Sequence, residues 1–233
     1  MKDVVVIQPK NLGDIIFVMA IAQKYANEGH KVYYPVRSAI LKFPSIQKNF
    51  PEIIFMRERQ FPNYDKIHKA NILEDDKYIY LPFIYNYLNK KMYDHMKYKY
   101  LLLNFPLDLW RSVKITRDLN SENKLINLLG IVPSEKFNLI NKNYSRSKRS
   151  QIIITPDNNY RNIFLEKIEG FNLFDWIGVI EIATSIHTVH TSLHYILEVL
   201  PNITNDLHIY PRKEVGQKHS LYDFLFKKEY VYR

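Results

Sequence analysis

The chain of 233 residues has 46% hydrophobic and 24% charged residues, a balance typical of an ordered globular protein, which argues against an intrinsically disordered chain. It has no cysteine, so disulfides, thiolate nucleophiles and zinc–thiolate sites are excluded. The net charge of +9 calls for an anionic partner, and no apolar run approaches the roughly 18 residues of a membrane span. We therefore expect a cytoplasmic protein with no transmembrane segment.

The first half of the sequence predicts an α/β sheet that begins with a buried strand over 4–8. A helix follows at about 13–27, where apolar residues recur at helical spacing, and Gly29 is its expected C-cap. Further strands are predicted over 31–36, near 53–56 and over 78–83. Alternating strands and helices predict a parallel sheet that is covered on both faces.

The turn from Pro9 to Asp14, between the first strand and the helix, is the first candidate site. It has one glycine where a dinucleotide fingerprint needs three, and it lacks the Gly-Lys-Ser/Thr of a P-loop. Gly13 can adopt backbone angles closed to other residues, and the helix N-terminus favours an ionised Asp14. That carboxylate is either a general base or an ordinary helix cap, and the motif alone leaves both open.

A tyrosine-rich stretch over 85–100 follows, in which residues such as Met96 and Lys99 recur at helical spacing. The segment 105–110 has the composition of a connector between domains. We therefore predict two domains, at 1–112 and 113–233.

The second half repeats the alternation, starting with a helix that opens at Asp118 or Ser121 and stops at Gly130. Strands are then predicted at 137–141, 151–155, 186–190 and 207–210, and helices near 159–168 and at 174–184 and 192–200. Two such half-sheets in one chain imply a cleft between them, where ligands of open α/β sheets bind.

The most basic segment, 141–150, lies between two of the predicted strands and carries four cations and three serines. Lys142, Arg146 and Lys148 in such a loop could clamp a diphosphate through charge and hydrogen bonds. The alternative is a solvated hairpin whose charges contact only water.

The second candidate site is the short strand at 186–190 and the helix after it. Thr191 and Ser192 fall at the helix N-terminus, where hydroxyls and backbone N–H groups can bind phosphate. His194 and Glu198 are four residues apart and share a helix face. The alternative is that the hydroxyls only cap the helix and the nearby histidines bond to backbone carbonyls. We predict no metal site, because His187 and His190 should point to opposite sides of a strand.

Two motifs together indicate a family. The run Asn11-Leu12-Gly13-Asp14 at the first turn and the later segment Ala183–His194 resemble the "N-x-G-D" turn and the later "D-S-G" segment of GT-B glycosyltransferases of the heptosyltransferase type. Thr191 and Leu193 stand where that family has its acidic residue and glycine. The resemblance implies two Rossmann-like domains facing a cleft, an acceptor-side domain at 1–112 and a nucleotide-sugar domain at 113–233.

The resemblance also implies residue functions. Asp14 would deprotonate the acceptor hydroxyl, and Gly13 would let acceptor or phosphate approach the backbone. The remaining donor-binding candidates are Thr191, Ser192, His194 and Glu198, with Lys142, Arg146 and Lys148 neutralising the leaving diphosphate. The implied enzyme is a metal-independent glycosyltransferase that moves a sugar from a nucleotide sugar to a saccharide or other hydroxyl acceptor, with no further cofactor.

Two alternatives remain open. A glycosyltransferase that modifies DNA bases would also suit the charge of +9 and the 18 tyrosines, because such proteins need phosphate contacts and stacking surfaces. A non-catalytic nucleotide-binding module of the same fold would bind the donor without turnover, and mutation of Asp14 would not affect that binding.

Overall fold

The computed structural model describes residues 1–8, 11–41, 46–61, 73–83, 92–143, 153–210 and 225–233. The chain divides into two units, Met1–Thr116 and Arg117–Arg233. Each unit contains a sheet with helices, so the predicted α/β class with two parallel sheets is confirmed.

The described part of the first unit has a five-stranded sheet in the order β3-β2-β1-β5-β4. Its strands are β1 (Asp3–Ile7), β2 (Val32–Val36), β3 (Ile53–Arg57), β4 (Leu73–Glu74) and β5 (Tyr78–Pro82). Neighbouring strands pair in parallel, except β4, which runs antiparallel to β5. β1 is the central strand and its valines and Ile7 are fully buried, which explains why its sequence is continuously apolar.

The helices of the first unit are α1 (Leu12–Asn27), α2 (Ser38–Leu41), α3 (Ile46–Asn49) and α4 (Met92–Leu101), and a 3₁₀ turn spans Leu107–Ser112. The end of α1 is a Schellman motif: Gly29 has φ +91°, its N–H donates to the carbonyl of Ala26, and the N–H of His30 donates to that of Tyr25. The predicted C-cap glycine is thus confirmed. The predicted connector at 105–110 largely coincides with the 3₁₀ turn, whose Trp110 is fully buried against Phe17.

The second unit has, in its described part, a parallel five-stranded sheet in the order β10-β9-β8-β6-β7. Its strands are β6 (Phe137–Asn141), β7 (Arg161–Phe164), β8 (Ser185–Val189), β9 (Asp206–Tyr210) and β10 (Val231–Tyr232). The helices are α5 (Leu119–Leu128), α6 (Ile177–Ile182) and α7 (Ser192–Val199), and a 3₁₀ turn over Leu173–Trp176 precedes α6. Asp118, one of the two predicted caps, caps α5 by accepting a hydrogen bond from the N–H of Ser121.

One predicted element of the second unit is wrong. The segment 159–168 was expected to be a helix, because its apolar residues have helical spacing, but it contains β7 instead. Ile163 is buried and Phe164 beside it is partly exposed, the alternation of an edge strand, and β7 pairs in parallel with β6. Long-range pairing has therefore overridden a short local pattern. The predicted strand at 151–155 lies partly outside the described residues, and 153–155 form no strand.

A chain of polar side chains crosses one face of the second sheet. The Ser185 hydroxyl donates to Oδ1 of Asn138 at 2.6 Å, so it accepts from Nε2 of His187 at 3.1 Å. The other ring nitrogen of His187 then accepts from the Tyr210 hydroxyl at 3.1 Å. A neutral ring satisfies both bonds, with one nitrogen as donor and the other as acceptor, and His187 is 2% exposed and stacks on His208 with ring centroids 4.3 Å apart.

Burial lowers the pKa of His187 to about 4, and the charges of His208 and Arg233 act in the same direction, while Asp157 and Asp206 oppose them. As the pH falls from about 6.5 to about 4, the unfolded state takes up a proton that folded His187 does not yet bind. Protonation therefore stabilises the unfolded state and lowers the free energy of unfolding. We expect the unfolding free energy of the second unit to drop by roughly 1 to 2 kcal/mol more between pH 7 and 5 in the wild type than in His187→Gln.

The measurement is urea unfolding at the two pH values, followed by hydrogen exchange of the β8 amides. His30→Gln in the first unit is the control and should keep the wild-type pH dependence of the β8 amides. Equal losses in wild type and His187→Gln would show that His187 is not held neutral.

Candidate functional site

In the first unit, Asp14 is the third residue of α1, directly after the turn that follows β1. Asn11, not Asp14, is the N-cap residue, so Asp14 is not the N-cap that the sequence left open as an alternative. Its carboxylate instead accepts hydrogen bonds from two side chains: Nδ2 of Asn11 bonds Oδ2 at 3.0 Å and Nζ of Lys99 bonds Oδ1 at 3.1 Å. The side chain of Asp14 remains 25% exposed, so this carboxylate is anchored and still accessible to solvent.

Among residues 11–14, which the structure describes, the positive φ lies at Asn11 and not at Gly13. Asn11 has φ +60°, a region that favours glycine but that asparagine tolerates better than most residues. Gly13 is a buried residue inside α1 and is not among the glycines with positive φ. The expectation that Gly13 supplies the special backbone angle is therefore wrong, whereas its predicted contact with a ligand is untested.

Lys99 also belongs to this site, although the sequence assigned it no function. It lies on the buried face of α4 with Met96 and Tyr100, and it is 2% exposed. The helical spacing of Met96 and Lys99 was visible in the sequence, and a lysine at a position that should be buried was the available signal. Its partner was not visible, because Asp14 is 85 residues away in the chain.

Two tyrosines complete the buried surroundings of Asp14 and Lys99. The Tyr100 hydroxyl donates to the backbone carbonyl of Phe17, whose ring packs edge-on against that of Tyr100. Tyr34 on β2 is fully buried, and its hydroxyl has no hydrogen-bond partner in the described part of the chain. Burial and then the charge of Asp14 raise the pKa of Tyr34 well above its usual value. The Tyr34 hydroxyl is thus a neutral group near the carboxylate.

In the second unit, Thr191 caps α7. Its hydroxyl accepts from the N–H of Leu193 at 3.3 Å, and its carbonyl accepts from the N–H of His194 at 3.1 Å. Asn141, the last residue of β6, donates from Nδ2 to the hydroxyls of both Thr191 and Thr188 at 2.9 Å. Asn141 therefore ties the end of β6 to the turn before α7, a function that the sequence did not reveal.

Ser192 and His194 differ in accessibility. The hydroxyl of Ser192 is partly exposed at the first residue of α7 and has no protein partner among the described residues. His194 is fully buried: its ring stacks on Phe226 with centroids 3.6 Å apart and packs edge-on against Tyr230. Nδ1 of His194 lies 3.1 Å from Nδ1 of His190.

Glu198 binds the segment 225–230 near the end of the chain. Its Oε1 accepts from the backbone N–H groups of Lys227 and Lys228 at 3.1 and 3.0 Å and from the Tyr230 hydroxyl at 2.8 Å. His194 and Glu198 contact the same segment, as expected for residues that share a helix face. The structure thus gives Glu198 a structural function, and its contact with a nucleotide stays a prediction.

The predicted basic loop is described only in part. Lys142 follows β6, and its ammonium lies 4.9 Å from the centroid of the Phe164 ring on β7. Arg146 and Lys148 lie outside the described residues. A diphosphate clamp by these cations is therefore not tested.

Comparison with solved structures shows which fold the chain has. Two structures of TibC match over 90% of this chain and 58% of theirs at 9% identity: the iron-containing dodecameric glycosyltransferase of enterotoxigenic E. coli H10407, with a TM-score of 0.52, and the heptosyltransferase in complex with ADP-D-beta-D-heptose, with a TM-score of 0.53. A family 9 glycosyl transferase from Veillonella parvula DSM 2008 matches over 90% of this chain and 80% of its own at 10% identity, with a TM-score of 0.47. The chain has a fold found in glycosyltransferases.

The chain spans 58% of the length of the TibC structures. No protein-family model and no curated protein sequence matches it. The similarity is therefore one of fold.

The expectation of an enzyme with no metal and no further cofactor is contradicted by these structures, because TibC is described as iron-containing. Metal independence does not follow from the fold. Among the described residues, no group of three or more His, Asp or Glu side chains could hold a metal ion, so these residues do not fit an iron site. No helix in the described ranges is long and apolar enough to cross a membrane.

The contacts of Glu198 lead to a stability prediction. In Glu198→Ala, two backbone N–H groups and the Tyr230 hydroxyl lose their acceptor, so we expect the second unit to lose about 1–3 kcal/mol of unfolding free energy. Glu198→Gln keeps a carbonyl acceptor and should lose less. Thermal unfolding and hydrogen exchange of residues 225–230 measure both effects, and unchanged exchange in Glu198→Ala would contradict the structural function of this carboxylate.

Proposed function

We propose that the chain is a glycosyltransferase that moves a sugar from a nucleotide-diphosphate sugar to an acceptor hydroxyl. The observation that carries the proposal is the fold shared with the TibC structures over 90% of the chain, one of them bound to ADP-D-beta-D-heptose. The accessible carboxylate of Asp14, at the turn after a central parallel strand, supports it, because ligands of open α/β sheets bind at that edge.

The donor phosphates are assigned to the N-terminus of α7 in this proposal. The Ser192 hydroxyl has no protein partner among the described residues, and the positive end of the helix dipole favours negative charge. Thr191 is held by Asn141, so the turn is preorganised before a donor binds. Lys142, with Arg146 and Lys148, would stabilise the charge that grows on the diphosphate as it leaves.

Activation of the acceptor is assigned to Asp14. An ionised carboxylate has about four lone-pair positions, and Asn11 and Lys99 occupy one on each oxygen. The remaining positions can accept the proton of an acceptor hydroxyl as its oxygen attacks the anomeric carbon. Such a positioned proton transfer is worth about 10²–10⁴-fold in rate.

Replacement of Asp14 by Asn tests this assignment. The amide cannot take up the proton, so we expect the transfer rate to fall about 10²–10⁴-fold while donor affinity changes little. Glu28→Gln at the other end of α1, an exposed carboxylate paired with Lys24, is the matched control and should keep wild-type turnover. Transfer at near wild-type rate in Asp14→Asn would remove Asp14 as the base.

A thermal-shift screen against nucleoside diphosphates and their sugars, ADP-heptose included, finds the donor. A ligand at 100 times its Kd should stabilise the native state by about 2.7 kcal/mol. Donor binding that Ser192→Val weakens supports the donor site at α7. If no nucleotide stabilises the chain, the glycosyltransferase proposal is wrong, and donor binding without any turnover would indicate a binding module.

A further inference from the structure

We propose that Lys99 is the positioning residue of the Asp14 carboxylate: its buried ammonium holds Oδ1 so that the free lone pairs of Asp14 face the acceptor. This inference rests on the proposed function of Asp14 as the base. It adds a residue of α4 to a site that is otherwise built from the turn before α1.

The geometry is that of a fixed carboxylate. The ammonium of Lys99 lies 3.1 Å from Oδ1, and the Asn11 amide lies 3.0 Å from Oδ2. Rotation of the Asp14 side chain would therefore break both hydrogen bonds. The Lys99 ammonium binds one oxygen from the buried side, whereas the Asn11 amide binds the other at the exposed surface, so each oxygen keeps a lone pair for an acceptor.

Lys99 is more deeply buried than its partner Asp14. Its side chain is 3% exposed, whereas that of Asp14 is 25% exposed, so the charge pair reaches solvent through Asp14. The ammonium also lies 5.8 Å from the centroid of the Phe17 ring, which gives it a weaker, second electrostatic contact. In the described part of the chain, Asp14 is the acidic side chain paired with Lys99.

Stability alone does not explain this lysine. Its neighbours on the buried face of α4, Met96 and Tyr100, are 5% and 0% exposed and already attach the helix to the core. An apolar side chain of similar length would pack there at no desolvation cost, and replacing a buried ion pair by apolar residues is often neutral or stabilising. A buried charge at such a position is therefore better explained by what it does to Asp14.

The test compares transfer kinetics of Lys99→Met, Lys99→Arg and Asp14→Asn with a double variant that carries both Lys99→Met and Asp14→Asn. We expect Lys99→Met to lower kcat about 10- to 100-fold with the donor KM unchanged, because the base is displaced and not removed. Lys99→Arg keeps a cation and should recover part of kcat. In the Asp14→Asn background, Lys99→Met should have no further effect on kcat, since Lys99 acts through Asp14.

Lys24→Met is the matched control, because Lys24 forms an exposed ion pair with Glu28 on α1. It should leave kcat and the melting temperature unchanged. If Lys99→Met alone fails to fold, the double variant, in which both charges are absent, and Lys99→Arg still give the comparison with Asp14→Asn.

NMR spectroscopy tests the contact between Lys99 and Asp14 without any substrate. A buried, hydrogen-bonded ammonium exchanges slowly with water, so Lys99 should give a ¹H–¹⁵N ammonium signal in NMR spectra that shifts or disappears in Asp14→Asn. A Lys99 signal that Asp14→Asn does not change would overturn the inference.

The failures of the two proposals are distinguishable. If Asp14→Asn abolishes transfer while Lys99→Met keeps kcat within twofold, Lys99 is not a positioning residue and the proposed function stands. If Asp14→Asn transfers at the wild-type rate, the base assignment fails whatever Lys99→Met does.

Discussion

The ion pair between Asp14 and Lys99 is the interaction on which the candidate site of the first unit depends. Parallel pairing of β1 with β2 and β5 places the turn before α1 at the carboxyl edge of the sheet. Within that turn, the Asn11 amide binds one oxygen of the carboxylate. The packing of α4 against α1, through the contact of Tyr100 with Phe17, brings a buried ammonium to it and gives it one orientation.

The second unit arranges its polar groups in another way. Asn141 donates from its side-chain amide to the hydroxyls of Thr188 and Thr191, and Oε1 of Glu198 accepts from three donors of the segment 225–230. These bonds fix the two ends of α7, and Ser192 at its start is partly exposed. The same helix thus has one end held by the segment 225–230 and another end that begins with a partly exposed serine.

Much of the fold could be predicted where one local pattern was unambiguous. The buried run of β1, the apolar face of α1 and the stop at Gly29 all act within a few residues, so spacing and backbone freedom were enough to locate them. The segment with β7 has an apolar spacing that suits a helix as well as an edge strand, and pairing with β6 decided between them. In the candidate sites of the two units, the sequence singled out Asp14 and Ser192, whereas it assigned no function to Lys99 and Asn141.

The sequence by itself determined the alternation of strands and helices and the two turns that carry polar groups. It also placed Lys99 at helical spacing with Met96 in α4. Only the tertiary structure decided that Asn11, and not Gly13, has the positive backbone angle, that Glu198 holds the end of the chain, and that Lys99 meets Asp14. The physical reason is that periodicity reports the surroundings of one element at a time. A hydrogen bond between residues 85 positions apart depends on how two helices pack, which no local pattern records.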